Sequence, residues 1–349
     1  MYRPLAHDRK HGGGPALPLI GLLLMTMGPL GALAQPPAEI SAQALPQASV
    51  QMSAHGSVQG SAHGSVQGSA QAPSQTITPP SYIDPALERA PDRAACERNF
   101  TPRSGQPGKD VIWVPTSDQL VTRMLKLASV SPQDLVYDLG AGDGKIAIAA
   151  AREFGARAVG VEYNPEMARL AQCYAEAEGV ADRVRIIHGD IFETDFSSAS
   201  VVTLYLLPEL NLRLRPTILK MKPGTRIVSH SFMMDDWEPD DRSVTQDGQA
   251  YMWIVPADVA GTWLFQRKDG RERFEIHLEQ TFQYIKGTVG RRSSALREAS
   301  LSGDRLQLAF GERMKFTRIS GQVRGERIEA KLTRRGSTFD YTATRHARN

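Results

Sequence analysis

Between residues 135 and 154 the chain must pass from an extended segment through a glycine-rich turn into a helix. Leu135-Val136-Tyr137-Asp138-Leu139 is apolar and β-prone, Gly140-Ala141-Gly142-Asp143-Gly144 follows without interruption, and Lys145 to Phe154 has helical composition. Glycines let the backbone turn tightly and approach a ligand closely, and the N–H groups at the start of the next helix point into the same space. A second extended segment, Ala156 to Val161, ends in Glu162, about 20 residues past the first glycine, where an acid can take both hydroxyls of a ribose. The expected contents of this turn are therefore a nucleoside cofactor.

The spacing separates two cofactor classes. A dinucleotide fingerprint needs a third glycine at 145, where this chain has lysine. The pattern is instead Asp-x-Gly-x-Gly-x-Gly, starting at Asp138, and a carboxylate there suits a cationic ligand better than a pyrophosphate. A third extended segment, Val184 to Gly189, again ends in an acid, Asp190, followed by Ile191. Taken alone, Asp190 reads as a turn cap; its place in the series favours a ligand contact.

The Asp138 to Gly144 run resembles motif I of the class I methyltransferases that use S-adenosylmethionine. The resemblance implies that Gly140, Gly142 and Gly144 lie under the amino-acid tail of the methyl donor, with Asp138 beside them. It also implies that Glu162 binds the ribose, Asp190 accepts from the adenine amine and Ile191 packs on the ring. The segments Trp113-Val114-Pro115-Thr116 and Leu204-Tyr205-Leu206-Leu207-Pro208-Glu209 are similar to those of a bacterial group related to mitochondrial protein-lysine methyltransferases. That similarity spans about residues 108 to 257. It implies a protein lysine as acceptor, with methylation of a small molecule or lipid as the alternative. A third alternative is a non-catalytic envelope ligand-binding protein, in which a retained cofactor fold displays the C-terminal β domain as the binder. No Asn-Pro-Pro-Tyr type motif follows the fourth strand, which argues against amino groups of adenine or glutamine as acceptors.

Extended segments at about 134–139, 156–162, 184–189, 199–206 and 225–232 alternate with helices, and two more are expected near 243–245 and 251–255. Such alternation predicts a Rossmann-like seven-strand α/β sheet with ligands at the carboxyl ends of its strands. Thr116-x-x-Gln119 has the form of a capping box, ahead of a helix with Leu120, Met124, Leu125 and Leu127 on its apolar face. After Ala257 the period changes to two, as in Phe274/Ile276/Leu278, Leu306/Leu308/Phe310 and Ile328/Ala330/Leu332, with turns at Asp269-Gly270, Gly303-Asp304 and Arg335-Gly336. Residues 258–349 are expected to form a C-terminal antiparallel meander of six to eight strands, closed into a small barrel or sandwich. Basic residues outnumber acidic ones there, which fits either a solvated face or contact with acidic partners or membrane headgroups.

If the acceptor is a lysine, its amine must lose a proton before it attacks. Leu206, Leu207 and Pro208 would suit an apolar wall that favours this, and Tyr205, Glu209 and His230 are candidates for orienting the amine or taking the proton. Trp113 and Thr116 are candidates to close over the cofactor. Each has a structural alternative: Tyr205 as a core aromatic, Glu209 as a helix N-terminal acid, His230 as a satisfied strand histidine.

The first hundred residues differ in kind. Arg3, Arg9 and Lys10 precede an apolar run from Ala16 to Leu33 that closes on Ala32-Leu33-Ala34, the pattern of a secretory signal over residues 1–34; an uncleaved anchor, or a start at Met25 or Met27, are the alternatives. Residues 35–107 are expected to be a low-complexity linker, in which the unit Ser-Ala-His-Gly-Ser-Val-Gln-Gly at 53–60 recurs at 61–68 and cannot bury a core. A short helix is expected near residues 84–96. An export signal implies the periplasm or a membrane anchorage and possible envelope association, away from the compartment where S-adenosylmethionine is made. The net charge of +3 over 349 residues does not suggest nucleic acid as a partner. Two cysteines, Cys96 and Cys173, and scattered histidines show no metal-ligand spacing. Cys173 falls within a helix expected over 165–178 and reads as a buried thiol, with a disulfide conceivable in an oxidising compartment.

Overall fold

The structure, a computed structural model, describes residues 91–312 and 316–347; the signal segment, the octapeptide repeat with its histidines and most of the helix expected at 84–96 lie outside the described residues. Of that helix a single turn is present, α1 (Arg93–Cys96), started by the Asp92 carboxylate, which accepts from the Ala95 N–H at 2.7 Å.

Strands and helices then alternate as the pattern predicts: α2 (Asp118–Leu127), β1 (Leu135–Leu139), α3 (Lys145–Phe154), β2 (Arg157–Glu162), α4 (Pro165–Ala177), β3 (Val184–His188), β4 (Val201–Leu204), α5 (Pro208–Ile218), β5 (Arg226–His230), β6 (Asp241–Thr245) and β7 (Gly248–Ile254). They make a seven-stranded sheet in the order β3-β2-β1-β4-β5-β7-β6, with β1 to β5 parallel and β7 antiparallel to both β5 and β6. The order reverses direction between β1 and β4, and a crevice opens there at the carboxyl ends of the strands. β1 and β4 carry near-continuous apolar runs because helices cover both faces of the sheet; Val201, Val202, Thr203 and Leu204 are all fully buried.

The helix before β1 is capped one residue later than its sequence suggests. Ser117, not Thr116, supplies the capping oxygen, accepting from the Leu120 N–H at 3.3 Å, because the Thr116 hydroxyl is turned inward to His230. Cys173 is not a free thiol. It is bonded to Cys96 across a separation of 77 residues, tying α1 to the middle of α4. The pair is reinforced by Arg93, whose guanidinium lies 3.9 Å from the Tyr174 ring centroid and 2.6 Å from the Glu178 carboxylate. The Tyr174 hydroxyl donates to Glu97 at 2.5 Å.

Beyond Ala257 the chain forms nine strands, more than the six to eight expected from its alternation: β8 (Gly261–Arg267), β9 (Arg273–Thr281), β10 (Tyr284–Val289), β11 (Ser294–Ala295), β12 (Glu298–Ser302), β13 (Arg305–Phe310), β14 (Thr317–Arg324), β15 (Arg327–Arg334) and β16 (Ser337–Ala347). They build one antiparallel sheet in the order β11-β10-β9-β8-β16-β15-β14-β13-β12. It curls until β10 and β12 approach each other, yet β11 and β12 remain its two edges, so it is a curled sheet and not a closed barrel. The apolar alternation points inward as read: Ile276, Leu278, Leu306, Leu308, Ile328 and Leu332 are all buried. The β15–β16 turn has both Arg335 and Gly336 at positive φ (51° and 77°), the geometry that matches the twist of a two-residue hairpin. The two sheets touch through the Gly303 carbonyl, which accepts from the Ala257 N–H at 2.9 Å, and through the β9–β10 turn.

Candidate active site

A cavity of about 320 Å³ occupies the crevice at the β1/β4 switch point. Its floor is the glycine turn. Gly142 sits at φ 58°, and its N–H donates to Glu162 Oε2 at 2.9 Å. A Cβ at this position would lie 2.4 Å from Nε1 of Trp113, so the indole is laid directly on bare backbone. Gly144, at φ 78°, starts α3 without a side-chain cap, and a Cβ there would meet Ala171 at 2.9 Å.

Five carboxylates line the cavity, Asp110, Asp138, Asp143, Glu162 and Asp190, and of these Asp143 and Glu162 are the ones that bear on Asp138. Asp138 is 2% exposed and accepts from the Thr203 hydroxyl at 2.7 Å. Burial, with Asp143 and Glu162 nearby, pushes its carboxyl up to about 7. Burial raises Asp143 as well. Such a cluster is costly without a cation, which makes the pocket complementary to a positively charged ligand. Glu162 accepts from Gly142 N–H through one oxygen and from Asn164 N–H through the other, at 2.9 and 2.8 Å, which fixes the carboxylate at the end of β2 and leaves lone pairs on both oxygens for a diol.

Asp190 and Ile191 line the same cavity after β3. The Asp190 carboxylate accepts from the Phe192 N–H at 2.9 Å and from Lys109 Nζ at 2.5 Å, and Lys109 holds it below the usual carboxylate range. Lys109 also lies 4.8 Å from the Tyr163 ring centroid. It belongs to a strap, residues 105–116, folded back on itself by paired Gly105–Trp113 and Trp113–Gln106 backbone bonds and carrying Trp113 and Thr116 over the cavity.

Apolar and aromatic lining after β4 and β5 comes from Tyr205, Leu206, Leu207, Leu210 and Phe232, with Leu206 packed against Gly140 of the turn. Of the three side chains proposed from sequence to handle the acceptor proton, only Tyr205 lines the cavity. His230 stands behind Tyr205, with ring centroids 3.7 Å apart, and its Nδ1 is 3.1 Å from the Thr116 hydroxyl. Desolvation lowers it to about 4, so it is neutral and a poor base. Glu209 is exposed in the first turn of α5, outside the lining, and Pro208 is outside it too. Asp143, Tyr163, Lys109 and Phe232 join the site without having stood out in the sequence. Asp143 had a signal, an acid inside the glycine run; the others come from loops whose course no periodicity reveals. Among the described residues no cluster of side chains could hold a metal ion.

A seven-strand sheet with a glycine cradle, strand-end acids and an acidic pocket for a cation defines a class I S-adenosylmethionine-dependent methyltransferase. The family model for the ANTKMT methyltransferase domain matches residues 138–241. A protein-lysine N-methyltransferase of Saccharolobus islandicus is 45% identical over 151 residues, covering 42% of this chain and 94% of that protein. The adenine nucleotide translocase lysine N-methyltransferase of Mus musculus is 31% identical over 154 residues, 44% of this chain and 65% of that protein. A crystal structure of an RNA methyltransferase from Salinibacter ruber in complex with S-adenosyl-L-homocysteine is 48% identical, covers 42% of this chain and 96% of its own, and superposes with a TM-score of 0.41. The chain belongs to the class I S-adenosylmethionine-dependent methyltransferases, in the group related to the adenine nucleotide translocase lysine methyltransferases.

Proposed function

We propose that this protein is an exported protein-lysine N-methyltransferase that transfers the methyl group in line. The observation that carries the reading is the mixed lining of one cavity, which combines the acids Asp138, Asp143 and Glu162 with the apolar and aromatic side chains Tyr205, Leu206, Leu207 and Phe232. When bound, S-adenosylmethionine supplies a methyl group activated on a sulfonium. The acids hold a cation; the apolar side chains receive a neutral amine. Freeing a lysine amine of its proton at pH 7 costs roughly 4–5 kcal/mol from a pKa near 10.4. Desolvation along the Tyr205–Phe232 wall reduces that cost, because it disfavours the ammonium form. His230 is not needed as the base; its neutral ring backs Tyr205 and fixes its plane. Trp113 and the strap exclude water from the glycine cradle. Alignment and exclusion of water are the main demands of a direct displacement, and few reacting side chains are required.

The lysine acceptor is supported by the two lysine methyltransferases named above as relatives. Export is supported by the apolar, Ala-x-Ala-terminated segment at residues 16–34 and by the Cys96–Cys173 bond, since disulfides persist in oxidising compartments. No helix among the described residues is long and apolar enough to cross a membrane.

The test is incubation of the purified protein with labelled S-adenosylmethionine and separate envelope and cytoplasmic extracts, followed by mass spectrometry. Methyl-lysine in an envelope protein is the expected result. Label confined to lipids or small molecules transfers the assignment to that acceptor class, and donor binding with no transfer at all overturns the enzyme. An alkaline phosphatase fusion to residues 1–90 tests the compartment.

A further inference from the structure

We propose that the nine-stranded sheet completes the acceptor side of the cavity: Phe282 and Gln283, at the tip of its β9–β10 hairpin, are positioning residues that hold Phe232 in the cavity wall. The inference rests on the reading of that wall as the acceptor side.

Phe232 is carried by the segment 231–240, which leaves β5 through Ser231 at φ 62° and turns again at Asp235 at φ 57°. Both lie in the left-handed region that non-glycine residues adopt only at a cost, so the path of this segment must be set by its surroundings. No ladder does so: a single bridge, Met234 with Trp237, is its internal pairing. At its near end the Ser231 N–H donates to the Gln249 carbonyl and the Phe232 N–H to the His230 carbonyl, each at 2.8 Å, while the contacts from Asn211 Nδ2 to the carbonyls of Phe232 and Met233, at 3.4 and 3.5 Å, are long.

The far end is anchored from both sheets: from the first, Trp253 Nε1 donates to the Trp237 carbonyl at 2.7 Å, and the second adds the bonds that follow. Trp237 is fully buried and donates through Nε1 to Gln283 Oε1 at 3.0 Å, while Gln283 Nε2 donates to the Glu238 carbonyl at 2.7 Å. Gln283 therefore clamps two successive residues of the segment, and it is itself only 8% exposed. Phe282 stacks on Trp237 with centroids 5.7 Å apart and is held at φ 52°, a further left-handed residue. Arg215 of α5 joins the two parts. Its guanidinium lies 5.5 Å from the Phe282 ring centroid, and it donates to the Met234 carbonyl at 2.8 Å and to Asp236 at 2.5 Å. Strained backbone thus occurs on both sides of one contact, five residues from a side chain that stacks at 6.3 Å on Tyr205. The family model ends at residue 241, so the hairpin is outside the part of the chain it describes. The extension acts on the site through packing and not through chemistry of its own.

The test compares the full-length protein with Gln283→Leu, which removes both clamping bonds at similar volume. Hydrogen exchange of amides 231–238 is expected to accelerate roughly tenfold, the equivalent of one lost hydrogen bond, while amides 140–145 are unchanged. The dissociation constant for S-adenosylhomocysteine should stay within about twofold, and the apparent KM for envelope-extract protein in labelled methyl transfer should rise roughly tenfold with a smaller change in kcat. Gln283→Glu, which keeps the oxygen for Trp237, should recover part of the loss. If Gln283→Leu does not fold, Phe282→Leu serves the same comparison. Unchanged exchange at 231–238, or a parallel loss of cofactor affinity and acceptor KM, overturns the proposal. If the unsubstituted protein methylates nothing in the extract, the methyltransferase reading fails and the exchange result alone decides whether the hairpin holds the segment.

Discussion

Removing the Cys96–Cys173 bond should destabilise the protein and weaken its hold on the methyl donor. The bond closes a loop of 77 residues. In the chain-entropy account, a loop of that length restricts the unfolded state by about 4.5 kcal/mol at 25 °C. That figure is a ceiling, since an unfolded chain with residual structure has less entropy to lose. The neighbouring Arg93–Glu178 pair does not replace the bond: Arg93 is half exposed, and such pairs contribute about 0–1 kcal/mol. The Tyr174 hydroxyl, raised to about 12 by burial and by Glu97, stays protonated and keeps donating. A double Cys96→Ser, Cys173→Ser variant should therefore lose several kcal/mol by urea titration and roughly 10 °C in midpoint by scanning calorimetry. Because α1 leads into the strap that carries Trp113, calorimetric titration with S-adenosylhomocysteine should show weaker binding in the same variant. Two titratable thiols in the parent protein purified without reductant, or a midpoint for the variant within about 1 °C of the parent, would refute the argument.

Further outcomes follow from three residues of the site, Asp138, Glu162 and Gly142. Asp138 has a folded-state value of about 7, above the ordinary 3.8, so between those values the native protein holds a proton that the unfolded chain releases; stability should fall as pH rises through that window, and Asp138→Asn should flatten the profile measured by urea titration at pH 5 and 7.5. Binding of the cationic donor favours the ionised carboxylate, so calorimetry at pH 6 in buffers of different ionisation enthalpy should detect proton release in the parent and less in the variant; equal release refutes the assignment. Glu162→Ala leaves the Gly142 and Asn164 N–H groups without their acceptor, at about 1–3 kcal/mol for each if water cannot reach it, and S-adenosylhomocysteine affinity should drop at least roughly tenfold. Gly142→Ala combines a left-handed backbone, costing about 1–2 kcal/mol, with a Cβ placed on the Trp113 indole; adding Trp113→Ala should relieve the second cost and not the first, and full recovery of affinity in the double variant would contradict that division.

The half of the fold that holds the cofactor was readable because its signals are local. A strand, a glycine turn and a helix sit within 20 residues, and each acid falls where its own strand ends; Asp138, Glu162 and Asp190 duly meet in one cavity. What escaped depends on chain segments far apart. Cys96 and Cys173 are brought together only when α1 packs on α4, and nothing in the composition around either residue marks the other. Thr116 reads as a helix cap until His230 arrives from β5 and takes its hydroxyl, leaving Ser117 to cap. His230 reads as a base until Tyr205 is stacked on it and water is gone. In the second sheet the alternation gave each strand's inward face, but whether the curl closes is decided by pairing between edges, which alternation does not encode.

The strand order of that second sheet also sets when it can exist. β8 and β16, its first and last strands, pair at its centre, with Arg267 opposite Tyr341 and Thr262 opposite Ala347. Without β16 the remainder is two separate four-stranded halves, β8 to β11 and β12 to β15, each with an open edge. Synthesis runs in the same direction as this numbering, so the β8–β16 pairing that joins the halves is the last of the sheet's pairings to become available. A contact of such long range is slow to form. Until then the half that carries the β9–β10 hairpin ends in an open edge at β8. A chain cut before β16 should therefore keep cofactor binding while leaving the sheet behind the β9–β10 hairpin unfinished.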